Sequence, residues 1–354
     1  MKIGIDTQST WGRKTGIGLY TVNLLHALRQ VAPQHEYVEL SSGRTDEMRT
    51  DQRLRWQQLE LPRRARAMRV DLLHVTGFDA PLWKPCPVVL TVHDLIGLLF
   101  PANLPPISRF YWSRWLPWSI HWADRIIVDS QHTKGDVNRL LGISAEHIEV
   151  IPLGVDKCFR PVKDEGVLES VRDKYGLPQM FVLYLGTLEP RKGVDTLIAA
   201  YADLAADIHH HLVIAGKRGW RTEPLFEQVQ ALGLDHQVHF TDYVPDEDLA
   251  ALYSLAQLFV YPSHYEGFGL PALEAMACGV PVVCTDSSSL PEVVGDAALL
   301  VPPNEAESLA AAMLQVLDDH ELRAKMGLRG LEQAASFTWE ETARRTLQVY
   351  EKML

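Results

Sequence analysis

The second half of the chain switches repeatedly between short apolar runs and stretches with helical spacing, and this alternation constrains the fold more than any other feature. MFVLYLGT (180–187), HLVIAG (211–216), VHFTDYV (238–244), LFVYPS (258–263) and PVVCTD (281–286) read as strands. Between them, VDTLIAAYADLAA, PLFEQVQALGL, DEDLAALYSLA and PALEAMACG read as helices. Strands bounded by turn residues and separated by helices form βαβ units, and successive βαβ units build an open, doubly wound parallel sheet. The first half carries the same theme. KIGID (2–6) reads as a buried strand followed by a Gly-rich loop and a helix over 19–28, and LLHV (72–75), VVLTVHD (88–94) and RIIVDS (125–130) read as further strands.

The chain has 354 residues, 47% of them hydrophobic and 22% charged, enough apolar material for a sizeable core. At about 100–200 residues per domain, two domains are expected. The Pro- and Gly-framed stretch IPLGVDKCFRP (151–161) is the best linker. The reading is therefore an α/β chain of two Rossmann-like domains, 1–160 and 161–337, with a C-terminal helix over 338–354 packing back on the N-terminal domain. That helix has Leu347, Val349, Tyr350 and Leu354 as apolar positions. Ligands of open α/β sheets bind beyond the carboxyl ends of the strands, so two facing sheets would place a site in a cleft.

The net charge of −11 argues against general nucleic-acid binding. The charge is uneven, +4 over residues 1–160 and −15 over 161–354, which suggests two units with different partners. No apolar run approaches the ~18 residues that span a bilayer. The start MKIGIDTQST lacks a signal-peptide core, so a cytoplasmic protein is expected. Cys86, Cys158, Cys278 and Cys284 form no CxxC pair, and ordinary buried thiols are expected rather than a zinc site or disulfides.

The chemistry concentrates in YPSHYEGFGLPALEAMACGVPVV (261–283). A strand ends at Tyr261, a loop holds Gly267 and Gly269, and a helix begins near Leu270 with Pro271 in its first turn. Glycines let backbone N–H groups approach a ligand closely, and a helix N-terminus adds a positive dipole end, so the segment fits a phosphate. Glu266 and Glu274 bracket that site. A phosphate repels carboxylates unless each faces hydroxyl groups, and sugars on either side of a diphosphate satisfy that condition. The alternative for Glu274 is a first-turn charge on the helix dipole.

This string resembles the E-x7-E motif of glycosyltransferase family 4, retaining enzymes of the GT-B fold. TGIGLYTVNLL (15–25), VVLTVHDLIGLLFP (88–101), VDSQHTKGDV (128–137), VIPLGVD (150–156), LYLGTLEPRKG (183–193), VIAGKRGW (213–220), VHFTDYVPDEDLAALY (238–253) and SSLPEVVGDAALLV (288–301) resemble family segments in the same order. Within the family the chain is most similar to mannosyltransferase-B-like enzymes of surface-polysaccharide synthesis. The resemblance implies that Glu274 meets the donor ribose and Glu266 the transferred sugar. It implies that Gly267, Phe268, Gly269 and Leu270 contact sugar and diphosphate through their backbone, and that Lys192, with Arg191 beside it, neutralises the leaving diphosphate. Many members carry an arginine where this chain has Thr187, so a second cation is expected from Lys217 or Arg218. Tyr243 and Val244 fall where the family meets the base. GIGLYT is only a partial dinucleotide fingerprint, with Thr21 in place of its third glycine, and argues poorly for NAD. Gly16 and Gly18 fit instead a turn that reaches the donor phosphate or the acceptor. His93 ends a strand, and the resemblance puts it at the reaction centre. Asp94 and Ser130 are acceptor candidates, with turn or helix-cap roles as the alternative.

The implied reaction is retaining hexosyl transfer without a metal or other cofactor, from a nucleotide-diphosphate sugar to a glycan or lipid-linked acceptor. The implied donor is GDP-mannose, with UDP-glucose as the alternative. A nucleotide-sugar epimerase, a phosphorylase and a non-catalytic glycan-binding scaffold are the rivals. Trp112, Trp115, Trp118 and Trp122 recur at helical spacing, with Arg109, Arg114 and Arg125 nearby and Arg63, Arg64, Arg66 and Arg69 upstream. They read as a core-facing helix with charged flanks, or as a surface for the inner face of a membrane. His209, His210 and His211 read as a turn before a strand rather than a metal site.

Overall fold

The computed structural model describes residues 1–11, 16–44, 48–77, 79–100, 109–219 and 222–354. The chain divides into one unit made of Met1–Gly154 and Thr338–Leu354 and a second made of Val155–Phe337. The passage between them lies inside the IPLGVDKCFRP stretch.

The first unit holds a six-stranded sheet in the order β2-β1-β3-β4-β5-β6. Its strands are β1 (Lys2–Asp6), β2 (Glu36–Leu40), β3 (Leu72–Val75), β4 (Val88–Val92), β5 (Arg125–Val128) and β6 (Ile148–Val150), all paired in parallel. Every residue of β3 and β4 is buried, as expected where helices cover both faces of a parallel sheet. The second unit holds β7 (Phe181–Leu185), β8 (His211–Ala215), β9 (Val238–Asp242), β10 (Leu258–Tyr261), β11 (Val282–Thr285) and β12 (Ala298–Val301), in the order β12-β11-β10-β7-β8-β9. The order reverses between β7 and β10. That junction is the topological switch point, where doubly wound sheets bind ligands beyond the strand ends.

The structure adds three strands to the sequence reading, β2, β6 and β12, and each is a sheet edge. An edge strand buries less of itself, so EYVEL (36–40) keeps two glutamates and IEV (148–150) is only three residues long. The four cysteines are free thiols, but Cys158 is exposed, contrary to the expectation of buried ones.

The helix Trp339–Glu351 belongs to the first unit. Thr338 caps it by accepting a hydrogen bond from Glu341 N at 3.2 Å, and Glu340 and Glu341 sit favourably in its first turn. Its buried face is Trp339, Thr342, Ala343, Thr346, Val349 and Tyr350, whereas Leu354 is exposed, so the apolar set read from the sequence is corrected at that residue. The helix lies against Gly16–Val31. Thr342 donates to Pro152 O at 2.8 Å and Arg345 to Val150 O at 2.6 Å. At Gly154 a Cβ would stand 2.3 Å from Trp339 N, so only glycine admits the returning chain.

Tyr350 Oη lies 2.6 Å from His74 Nδ1, and His74 Nε2 lies 2.8 Å from Thr91 Oγ1. Burial pushes the His74 ring down to about 3, so it is neutral, with one N–H to donate and one nitrogen to accept. Both nitrogens are satisfied only while both hydroxyls are present. Tyr350→Phe should therefore destabilise the first unit by ~1–3 kcal/mol, the cost of an unsatisfied buried group, as a lower denaturant midpoint will show.

Candidate functional site at the sheet switch point

The loops that leave β7 and β10 meet at the switch point of the second unit. Lys192 ends a short turn, Pro190–Lys192, and Gly193 follows it at φ 64°. A Cβ there would lie 2.2 Å from Pro262 O, so the two loops touch backbone to backbone. His264 N donates to Arg191 O at 2.8 Å, and Arg191 Nη1 donates to Tyr265 O at 2.9 Å.

This docking buries a charged cluster. Lys192 Nζ donates to Glu266 Oε1 at 2.5 Å and to Tyr261 Oη at 2.7 Å. Glu266 Oε1 also accepts from Tyr261 Oη at 2.8 Å and Ser263 Oγ at 2.6 Å, and Arg191 Nη1 lies 3.5 Å from Oε2. Burial alone would raise the Glu266 carboxyl, but Lys192 and Arg191 outweigh it and hold the group ionised, below the usual carboxylate range. Burial pushes the Lys192 ammonium below its ordinary value, against the pull of Glu266.

Glu274 sits in the helix Leu270–Ala277, whose N-cap is Gly269 at φ 115° and whose N-terminus no side chain caps. Tyr253 Oη donates to Glu274 Oε2 at 3.0 Å. Burial, with Asp246 and Asp156 nearby, still raises this carboxyl to about 7. The two glutamates of the motif thus differ: one is fixed as an anion, and the other is poised near neutrality.

The remaining expected donor residues spread along the same strand-end edge. Leu188 N donates to Lys217 O at 2.9 Å and Gly219 N to Leu188 O at 3.0 Å, so Thr187 runs beside Lys217 and Arg218. Arg218 is engaged by Asp242 at 2.7 Å and lies over Phe226. After β9, Tyr243 is exposed and Val244 buried. Of the three histidines, His211 opens β8 with Nδ1 2.9 Å from His239 Nε2. No group of three or more metal-ligating residues occurs among the described residues.

In the first unit, Gly16 and Gly18 open the helix Gly16–Val31, and a Cβ on Gly18 would lie 2.5 Å from Ser9 O. His93 follows β4. Its Nδ1 lies 2.7 Å from Asp129 Oδ2, its Nε2 donates to Thr76 O at 2.9 Å, and Tyr20 packs edge-on at 4.7 Å between centroids. Burial opposes a charge on the ring, but Asp129 and Thr76 overcome it and raise the His93 value. Burial raises the Asp129 carboxyl as well, so the two groups share a proton across this contact. Asp94 accepts from Ile96 N at 2.9 Å, a turn role, and Ser130 is buried as the N-cap of Gln131–Leu141, accepting from Thr133 N at 3.0 Å.

Comparison with known proteins decides what this arrangement belongs to. The description "Glycosyltransferase Family 4" matches residues 16–157, and "Glycosyl transferases group 1" matches residues 169–333. The O-antigen chain mannosyltransferase B of Escherichia coli is 39% identical over 74% of this chain and 69% of its own length. The chain belongs to glycosyltransferase family 4. The serotype-specific mannosyltransferase WbdA of Escherichia coli is 33% identical over 77% of this chain, a match that spans 34% of its own length. Anabaena HepE, solved with UDP and glucose, superposes with a TM-score of 0.76 at 20% identity, covering 99% of this chain and 100% of that one. The glycosyltransferase has the GT-B type of α/β fold and is a hexosyltransferase.

The sequence brought Lys192, Arg191, Glu266 and Glu274 into view, but not their direct partners. Tyr261 and Ser263 lie within the quoted motif, and the turn after β10 aims both at Glu266. Asp129 had a signal: Val92 pairs with Val128, so the next residues, His93 and Asp129, must be neighbours. In this glycosyltransferase, Asp129→Asn removes the charge that counters burial. The His93 ring should then titrate at a lower pH than in the wild type, as its imidazole NMR signals will report.

Proposed function

We propose that this glycosyltransferase transfers mannose from GDP-mannose to a glycan or lipid-linked acceptor, with retention of configuration and without a metal. UDP-glucose is the alternative donor. The observation that carries the reading is the switch-point cluster. Lys192, Arg191 and Glu266 stand together at the strand ends, beside the uncapped helix Leu270–Ala277 and Glu274. The similarity to a mannosyltransferase supports mannose as the sugar.

In this reading the second unit holds the donor and the first the acceptor. The helix N-terminus, with the backbone of Gly267–Leu270, receives the diphosphate. Glu266 accepts hydroxyls of the sugar, and Glu274 those of the ribose. Lys192 and Arg191, with Lys217 beside Thr187, meet the charge that grows on the leaving phosphate. His93, held by Asp129 and Thr76 O, presents its ring on the acceptor side. The leaving phosphate takes the acceptor proton on the same face, so the enzyme contributes position and charge stabilisation rather than a strong base. Lys192→Ala, Glu266→Ala and His93→Ala should each cut turnover strongly, and a chelator should leave the wild-type rate unchanged.

A thermal-shift panel of GDP, GDP-mannose, UDP, UDP-glucose, ADP and NAD tests the donor. A ligand at 100 Kd adds ~2.7 kcal/mol, and stabilisation by the guanine pair alone is expected. Conversion of the sugar nucleotide without acceptor would favour an epimerase. Glu274 gives the pH dependence. Only the ionised carboxylate offers both oxygens as acceptors to the ribose hydroxyls, so GDP affinity should rise between pH 6 and 8 more in the wild type than in Glu274→Gln, by calorimetry. Stability runs the other way. The raised carboxyl favours the fold below the unfolded value near 4.5, and that contribution is lost as pH rises through about 7.

The basic first unit also suits an anionic membrane surface. Phe110, Trp118 and Trp122 are 64%, 47% and 40% exposed, and Arg53 and Arg66 lie over Trp112 and Trp83. No helix among the described residues is long and apolar enough to cross a membrane, so any contact would be at the interface. Cosedimentation with phosphatidylglycerol vesicles but not phosphatidylcholine vesicles is expected, and it should weaken in a Trp118→Ser, Trp122→Ser double variant.

A further inference from the structure

The loop that carries Glu266 is gripped by three successive serines from the turn after β11. Ser287 Oγ donates to His264 O. Ser288 Oγ accepts from Glu266 N at 2.9 Å and donates to Ser287 O at 2.8 Å. Ser289 Oγ shares its one O–H between Phe268 O at 2.7 Å and Glu266 O at 3.0 Å. Residues 264, 266 and 268 are thus each held through the backbone by a serine hydroxyl, and Arg191 grips the same loop from the β7 side.

One of the three holds an unusual backbone. Ser288 has φ 53°, in the left-handed region that disfavours side chains other than Asn, Asp and Gly. Glycine would take this conformation without steric cost, yet the position carries a hydroxyl. The hydroxyl satisfies the N–H of Glu266, a buried residue whose carboxylate already takes hydrogen bonds from Lys192, Tyr261 and Ser263. Strain kept in place by its surroundings beside a buried, hydrogen-bonded carboxylate motivates a functional reading.

We propose that Ser288 is a positioning residue, and that its strained backbone delivers a hydroxyl to Glu266 N so that the Glu266 carboxylate is held in register for the transferred sugar. The inference rests on the donor-site reading above and adds a residue that the E-x7-E motif does not contain. Because Ser288 acts on the sugar end of the donor, its loss should spare the nucleotide end, which lies toward Glu274.

Two substitutions separate the hydroxyl from the backbone. Ser288→Gly keeps the left-handed turn and removes the hydroxyl, whereas Ser288→Ala removes the hydroxyl and keeps the strain. Relief of φ in Ser288→Gly is offset by the freer unfolded chain, so what remains is the lost hydrogen bond to Glu266 N, and it should melt about 2–4 °C below the wild type. Ser288→Ala keeps the strain, loses the same bond and should melt in the same range. Both should lose about tenfold in kcat/KM for the sugar nucleotide. Calorimetry should give Ser288→Gly a wild-type Kd for GDP and a weakened Kd for GDP-mannose, with UDP and UDP-glucose run in parallel. Wild-type kinetics in Ser288→Gly overturn the proposal, as does an equal loss of affinity for nucleotide and sugar nucleotide. If the wild type binds none of the four ligands, the donor-site reading itself falls and the proposal falls with it.

Discussion

The second unit is organised around one buried ion pair, Lys192 with Glu266, 74 residues apart in sequence. Taking two charges out of water is expensive, and their attraction compensates only when further hydrogen bonds satisfy what the pair leaves open. Tyr261 and Ser263 supply those bonds to Glu266. The consequence is geometric. The loops after β7 and β10 must close on each other, which makes Gly193 obligatory against Pro262 and calls for the serine turn after β11 to hold the far side. The charges and the loops that carry them are thus joined by hydrogen bonds on every side.

The first unit handles buried charge differently. His93 and Asp129 stand side by side at the ends of adjacent strands, and the ring is pinned by a carboxylate, a main-chain carbonyl and the edge of Tyr20. Behind them a polar chain runs from Tyr20 through Thr91 and His74 to Tyr350. That chain lets a helix from the far end of the sequence share in the order around His93.

The doubly wound pattern was legible because buried parallel strands are nearly continuous apolar runs, as FVLYL in β7 and VVLTV in β4 show. The edge strands β2, β6 and β12 were not, because half-exposed strands carry a weaker signal. Glu266, Glu274 and Lys192 stood out through a glycine loop running into a helix, a local pattern. What escaped was everything set by strand order: the Lys192–Glu266 contact itself, Tyr253 beneath Glu274, and the serine triplet. Ser130 and Asp94 were ambiguous for a different reason. A hydroxyl or carboxylate at a strand end serves a cap as well as a ligand, and burial and geometry separate the two uses.

The composition of the first unit from residues 1–154 and 338–354 has a consequence for how the molecule is made. His74 is enclosed only when Tyr350 arrives, 276 residues later. At about 5–20 residues per second, a ribosome needs roughly 15–55 s to cover that interval. During it the nascent first unit lacks its final helix while the whole second unit is synthesised and free to fold. Loss of the helix Trp339–Glu351 would therefore injure the part of the molecule made first.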